Sequence, residues 1–378
     1  MGYSRTAIAR TFFALMLVWC FSRVGTEARQ QKLPTREFFY AGGRYAGAPG
    51  SEVMTGQMYV EVLRPSRVTQ RYPLVFFHGN WQTATNWMGT PDGRPGWADY
   101  FLDQGYVVYL IDQPARGRSP WHSSTNGMLS GLPPSTVEQR FTAPEVTRKW
   151  LQASTHTQWP GAAPNKGRMG DPVFDAFYAS QVESLMDPVE TQSLIQAAGT
   201  ALLDKIGPAI LLTHSQAGTF GWLIADARPK LVKGVLAIEP AGPPFENAVF
   251  DENPARPWGL TDIPLGFDPP ATASSDLKSV RQQSSDRPGL APCRQQVEPA
   301  RQLPHLKGIP VLIVSSESSY HAAYDHCTAR FLSQAGVSNT FIRLEDRGIH
   351  GNGHMMMLEK NNREVAALLH QWVSRNIK

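Results

Sequence analysis

Short, almost wholly apolar runs recur along the chain: Leu74–Phe77, Tyr106–Ile111, Ile210–Thr213, Gly234–Ile238, Val311–Ser315 and Phe341–Leu344. Runs of this length without polar alternation predict strands buried on both faces at the centre of a sheet. Met58–Leu63 alternates instead and predicts an early, half-exposed strand. Between these runs the apolar period lengthens. Asp187-Pro188 offers an N-cap followed by a proline at the first helical position, and Gly207 offers a stop. Leu194, Ala198, Ala201, Leu202 and Ile206 then mark the inward face of that helix. Val365, Leu368, Leu369 and Trp372 stand at i, i+3, i+4, i+7 and predict a final amphipathic helix. Strands alternating with helices in this way predict the α/β class with a largely parallel sheet.

Two intervals break the rhythm. Residues 120–186 are rich in Gly, Pro, Trp and Phe, and residues 241–307 in Pro, Asp and Arg. Segments this long are usually functional covers, so both are expected to cap the strand ends of one domain spanning 29–378. The chain of 378 residues is long enough for that domain. The net charge of +4 falls to about +2 without Arg5, Arg10, Arg23 and Glu27, and no Lys/Arg block points to nucleic acid.

Residues 1–28 carry the marks of a secretory signal: Arg5 and Arg10, an apolar core over 11–21, and small residues around Thr26 and Ala28. That core is about half the ~20 residues a membrane span needs, so no stable membrane anchor is expected. The exported protein, secreted or periplasmic, would keep Cys293 and Cys327, whose even number predicts one disulfide. Without histidines at ligand spacing they give no zinc signal, and no metal is expected.

The chemistry concentrates at strand ends. Thr213-His-Ser-Gln-Ala-Gly places Ser215 between small residues after an apolar run, as a sharp strand-to-helix turn requires. A serine nucleophile needs a base, an acid that orients the base, and amides aimed at the oxyanion. His354 ends a glycine-rich loop after the last strand and is the expected base; His350 is its rival and a candidate substrate contact. Glu239 follows Gly234–Ile238 and is the expected acid, with Glu317 and Asp325 as competitors after the next strand. Phe77-His-Gly-Asn-Trp supplies an oxyanion turn, with the Asn80 and Gln216 amides as donors and Trp81 as a substrate contact. His78 is expected to brace that turn. No dinucleotide Gly-x-Gly-x-x-Gly follows a strand, so no cofactor is expected.

These motifs, with Gly56-Gln-Met-Tyr-Val-Glu-Val, Asp112-Gln-Pro-Ala-Arg-Gly-Arg-Ser, Ile238-Glu-Pro and Gly351-Asn-Gly-His-Met, resemble the α/β-hydrolase superfamily over nearly the whole mature chain. The likeness is to its exported bacterial and fungal serine esterases with a Ser–Glu–His triad, and more distantly to lactone-cleaving members. It implies an eight-stranded, mostly parallel sheet flanked by helices, with cap insertions, and Ser215, Glu239 and His354 as triad. The implied activity is a secreted serine carboxylesterase acting on a small-molecule ester or lactone, as a monomer or a homodimer. Trp121, Trp150, Trp159, Phe174, Phe177 and Tyr178 in the first insertion point to an apolar or aromatic substrate. Two alternatives share the fold: a non-hydrolytic lyase or isomerase of secondary metabolism, and a catalytically inactive binding protein. Asn80-Trp81 also resembles the halide cradle of haloalkane dehalogenases. Those enzymes attack with aspartate, whereas a serine ether could not be released by water.

Overall fold

The computed structural model describes residues 1–2 and 34–378, so nearly all of the expected signal at 1–28 lies outside the described residues. Eight strands pair into one sheet: β1 (Thr35–Ala46), β2 (Val53–Arg64), β3 (Leu74–Phe77), β4 (Val108–Asp112), β5 (Ala209–His214), β6 (Val232–Ile238), β7 (Val311–Ser315) and β8 (Asn339–Arg343). Their order across the sheet is β1-β2-β4-β3-β5-β6-β7-β8. β1 and β2 run antiparallel to their neighbours, and all pairs from β4 to β8 are parallel.

The apolar runs are buried on both faces because helices cover both sides. Val75, Phe77, Leu211, Val235 and Ile313 enter one core, and Phe76, Leu212, Leu236 and Val314 the other, with the period of two that a strand imposes. Two expectations need correction. β2 is not half-exposed: Met58, Val60 and Val62 are buried against Ile195, Ala198 and Leu202 of the helix Pro188–Ile206, and Arg118 covers Tyr59 and Glu61 on the other face. β8 is not central: among the described residues it pairs only with β7, and it is mostly half-buried.

The helix Pro188–Ile206 begins where Asp187 accepts a hydrogen bond from Val189 N at 2.8 Å and ends at Gly207, φ +81°. Its buried face is Ile195, Ala198, Leu202 and Leu203, turned slightly from the stripe expected on Leu194 and Ile206. The helix Asn362–Asn376 buries Val365, Leu369 and Trp372 as its spacing predicts. Among the described residues no helix is long and apolar enough to cross a membrane.

Within residues 120–186, Trp159, Phe174 and Phe177 are fully buried and join the core that holds Phe76 and Leu212. Within 241–307, Cys293 is joined to Cys327 of the helix Asp325–Gln334, with 5.2 Å between their Cα atoms. This is the expected disulfide.

Candidate active site

β5 ends at His214, and the next residue turns sharply into the helix Ala217–Ala227. Ser215 takes φ +57°, a left-handed conformation that costs a non-glycine residue about 1–3 kcal/mol and is held here by the surrounding turn. Its amide donates to Ile238 O at 3.1 Å, and its carbonyl accepts from Ala241 N at 2.8 Å and Gly218 N at 2.9 Å. Close packing explains the small residues. A Cβ on Gly218 would stand 2.7 Å from Pro240 Cα, and one on Gly79 would stand 3.0 Å from Ser215 Cβ.

Glu239 also has positive φ, +44°, at the end of β6. Its carboxylate is fully buried and accepts from His354 Nδ1 (2.6 Å), Ser316 N (2.8 Å), Ser316 Oγ (2.5 Å) and Ser319 Oγ (2.7 Å). Burial pushes this carboxyl up from its ordinary range, against the pull of those donors and of His321. The two competing acids brace other histidines. Asp325 meets His321 Nδ1 at 2.8 Å, while Glu317 accepts from Gly351 N at 2.7 Å and lies 3.3 Å from His350 Nδ1. His350 is exposed and stands outside the cavity described below, away from the position expected of a substrate contact.

His354 is buried between rings: Phe141 stacks on it at 5.2 Å and His321 at 4.7 Å. Its loop is fixed from two sides. His214 Nε2 meets its carbonyl at 2.9 Å, and Glu359 accepts from Gly353 N at 2.9 Å and Asn352 Nδ2 at 2.7 Å. Burial holds the imidazole well below its ordinary pKa, with His321 and Arg140 adding to the effect. The ring is therefore neutral at rest and able to accept a proton. In this arrangement His354 Nε2 is met by the Tyr320 hydroxyl at 3.4 Å, and Tyr320 lines the same cavity as Ser215. Tyr320 thus occupies the imidazole nitrogen that faces the cavity.

The turn after β3 stands opposite. Among the described residues, neither the Asn80 nor the Gln216 backbone amide donates to another group. Arg116 holds the turn from behind, donating to Gly79 O at 3.1 Å and Asn80 Oδ1 at 3.2 Å. His78 is fully buried, its carbonyl accepting from Gln113 Nε2 at 2.7 Å; burial, then Arg116, pushes its ring down to about 3. It braces the turn as expected.

A cavity of about 440 Å³ opens above Ser215, lined by Asn80, Trp81, Gln216, Arg140, Arg256 and Tyr320 among others. None of the six aromatics expected to shape the substrate lines it. Trp159, Phe174 and Phe177 instead join the core on one face of the sheet, where large rings gain more from full burial than from a wet wall. Glu239, His321 and His354 bring three potential metal-ligand atoms within 4.8 Å of one another. Both nitrogens of His321 already serve Asp325 and Tyr324, so hydrogen bonding accounts for this group.

Arg116 stands in the sequence reading only as part of a matching motif, without a role, and Arg140 and Tyr320 escaped it. Arg140 and Tyr320 sit in the short helices Glu138–Thr142 and Tyr320–Ala323, and only the fold brings them to the cavity at Ser215.

Residues 74–368 match the model of the alpha/beta hydrolase family. The chain is 48% identical over 340 residues to a probable secreted lipase, phiG, of Fungal sp. (strain ATCC 74256), covering 89% of each chain. It is also similar to a bacterial esterase solved at atomic resolution, with a TM-score of 0.58 and 25% identity over 90% of this chain and 96% of the other.

Proposed function

Since the chain belongs to the alpha/beta hydrolase family, we propose that it is a secreted serine carboxylesterase that cleaves carboxylic esters or lactones through an acyl-enzyme on Ser215. One observation carries this reading: a buried Glu239–His354 pair, 2.6 Å apart, whose second imidazole nitrogen meets Tyr320, a residue that lines one cavity with Ser215. The likeness to proteins named as a secreted lipase and an esterase supports it, as does the N-terminal sequence for export.

As substrate enters, Tyr320 yields the Nε2 of His354 to the serine hydroxyl; such contacts commonly tighten only in the substrate complex. His354 Nε2 takes the Ser215 proton as Oγ attacks the carbonyl carbon, and Glu239 holds Nδ1–H and stabilises the imidazolium. The Asn80 and Gln216 amides receive the oxyanion. The imidazolium protonates the leaving alcohol, and the acyl group stays on Ser215. Water then repeats the sequence: it loses a proton to His354, attacks the acyl carbon and frees the acid. In a lactone the leaving alcohol remains tethered to that acid.

Hydrolysis of a panel of p-nitrophenyl esters and simple lactones tests this. Wild-type protein is expected to turn over at least one of them. Ser215→Ala and His354→Ala should each lose about 10³-fold or more, and His350→Ala should retain wild-type rates. Loss with His350→Ala and retention with His354→Ala would reassign the base.

A further inference from the structure

The cavity above Ser215 contains a cation that forms no salt bridge among the described residues. Arg140 lines it, and its guanidinium carbon lies 4.2 Å from the centre of the Phe250 ring, which orients the planar group without neutralising it. Its Nε is buried with no hydrogen-bond partner, and among the described residues no carboxylate lies within 4.0 Å of the guanidinium. The other charged groups of the cavity are occupied. Arg256 donates to Pro243 O at 2.8 Å, to Asn247 Oδ1 at 3.1 Å and to Glu246 O. Asp262 accepts from Gln192 Nε2 at 2.6 Å and from Arg256 N at 3.2 Å. Asp251, the acid that feels Arg140, is exposed and accepts from Asn247 Nδ2 and Asn253 N.

A buried donor left unsatisfied is costly, and a guanidinium fork matches a carboxylate in shape and charge. The positive charge of Arg140 also disfavours the imidazolium on His354. A site that tolerates that penalty gains most when an anion arrives with the substrate. We infer that the cavity takes an ester or lactone carrying a second, anionic group, a carboxylate, which pairs with Arg140 while the scissile carbonyl faces Ser215. This rests on the esterase reading above and narrows its substrate class from apolar esters to half-esters and acidic lactones.

Methyl hydrogen glutarate and dimethyl glutarate share an acyl chain and a leaving methanol and differ in one charge. Wild-type kcat/KM is expected to favour the half-ester by about tenfold or more. In Arg140→Gln the ratio of half-ester to diester should fall at least about tenfold, and Arg140→Lys should recover part of it. Because the ratio is internal to each variant, partial misfolding cannot mimic the change. A wild-type preference for the diester, or a ratio unmoved by Arg140→Gln, overturns the proposal. If wild-type protein hydrolyses neither compound, the esterase reading is in question and calorimetry with glutarate decides the anion site separately. Binding weakened about tenfold or more by Arg140→Gln upholds it, and the absence of binding or of that weakening overturns it.

Discussion

The His354 imidazole is shielded from protonation first by burial and then by His321 and Arg140. A general base works only when neutral, so the sign of this shift is a kinetic prediction. The pKa is lowered, so activity should persist below pH 6.5 and disappear only as pH falls through the depressed value. The acid limb of kcat/KM against pH measures this; a limb at 6.5 or above would contradict it. In the proposed mechanism Glu239 acts through the ring it holds. Glu239→Gln should lower kcat by roughly 10³–10⁴-fold by disturbing the tautomer, while Glu317→Gln should leave it within about threefold. At this scale the triad candidates were legible because each follows a strand or its loop: Ser215 between small residues, Glu239 after Gly234–Ile238, His354 after Gly353. Arg140 and Tyr320 were not, since nothing adjacent in sequence distinguishes them from surface residues.

Among the elements, the turn at Ser215 is the most constrained. Gly218 packs against Pro240, so Gly218→Ala should force the helix from the sheet, costing about 1–3 kcal/mol and displacing the nucleophile. A lower thermal midpoint together with lower kcat would register it. The first insertion is tied to the His354 loop by His156, which meets Glu145 Oε2 at 2.7 Å and Glu359 Oε1 at 2.8 Å. Burial alone would push this histidine down, but the two carboxylates raise it from 6.5 to about 9. A raised folded-state value means that the contribution to stability is complete below about pH 6.5 and is lost as pH rises through about 9. Thermal melts across pH 6 to 10 should show that loss, and His156→Gln should flatten it. Among strands, apolar runs such as Leu74–Phe77 announced themselves. β1 did not, because Thr35–Ala46 is almost entirely exposed and has no buried face to pattern it.

Across the whole molecule, the sheet converges three distant side chains at one rim, and the two insertions supply the walls. The Cys293–Cys327 bridge closes a segment with a sequence separation of 34 between the second insertion and the helix after β7. Loop closure of that length is worth roughly 3–4 kcal/mol, so reduction or Cys293→Ser should lower the thermal midpoint by several degrees. The class of fold was readable from the alternation of strand and helix. The polar character of the cavity was not, because aromatic content in residues 120–186 cannot reveal which rings face inward. The most direct measurement of the central claim is intact-mass and peptide mapping after treatment with a fluorophosphonate. A single phosphonyl adduct on the Ser215 peptide, lost in Ser215→Ala, is the expected result. A folded protein that takes no label, or takes it on another residue, would contradict the nucleophile assigned here.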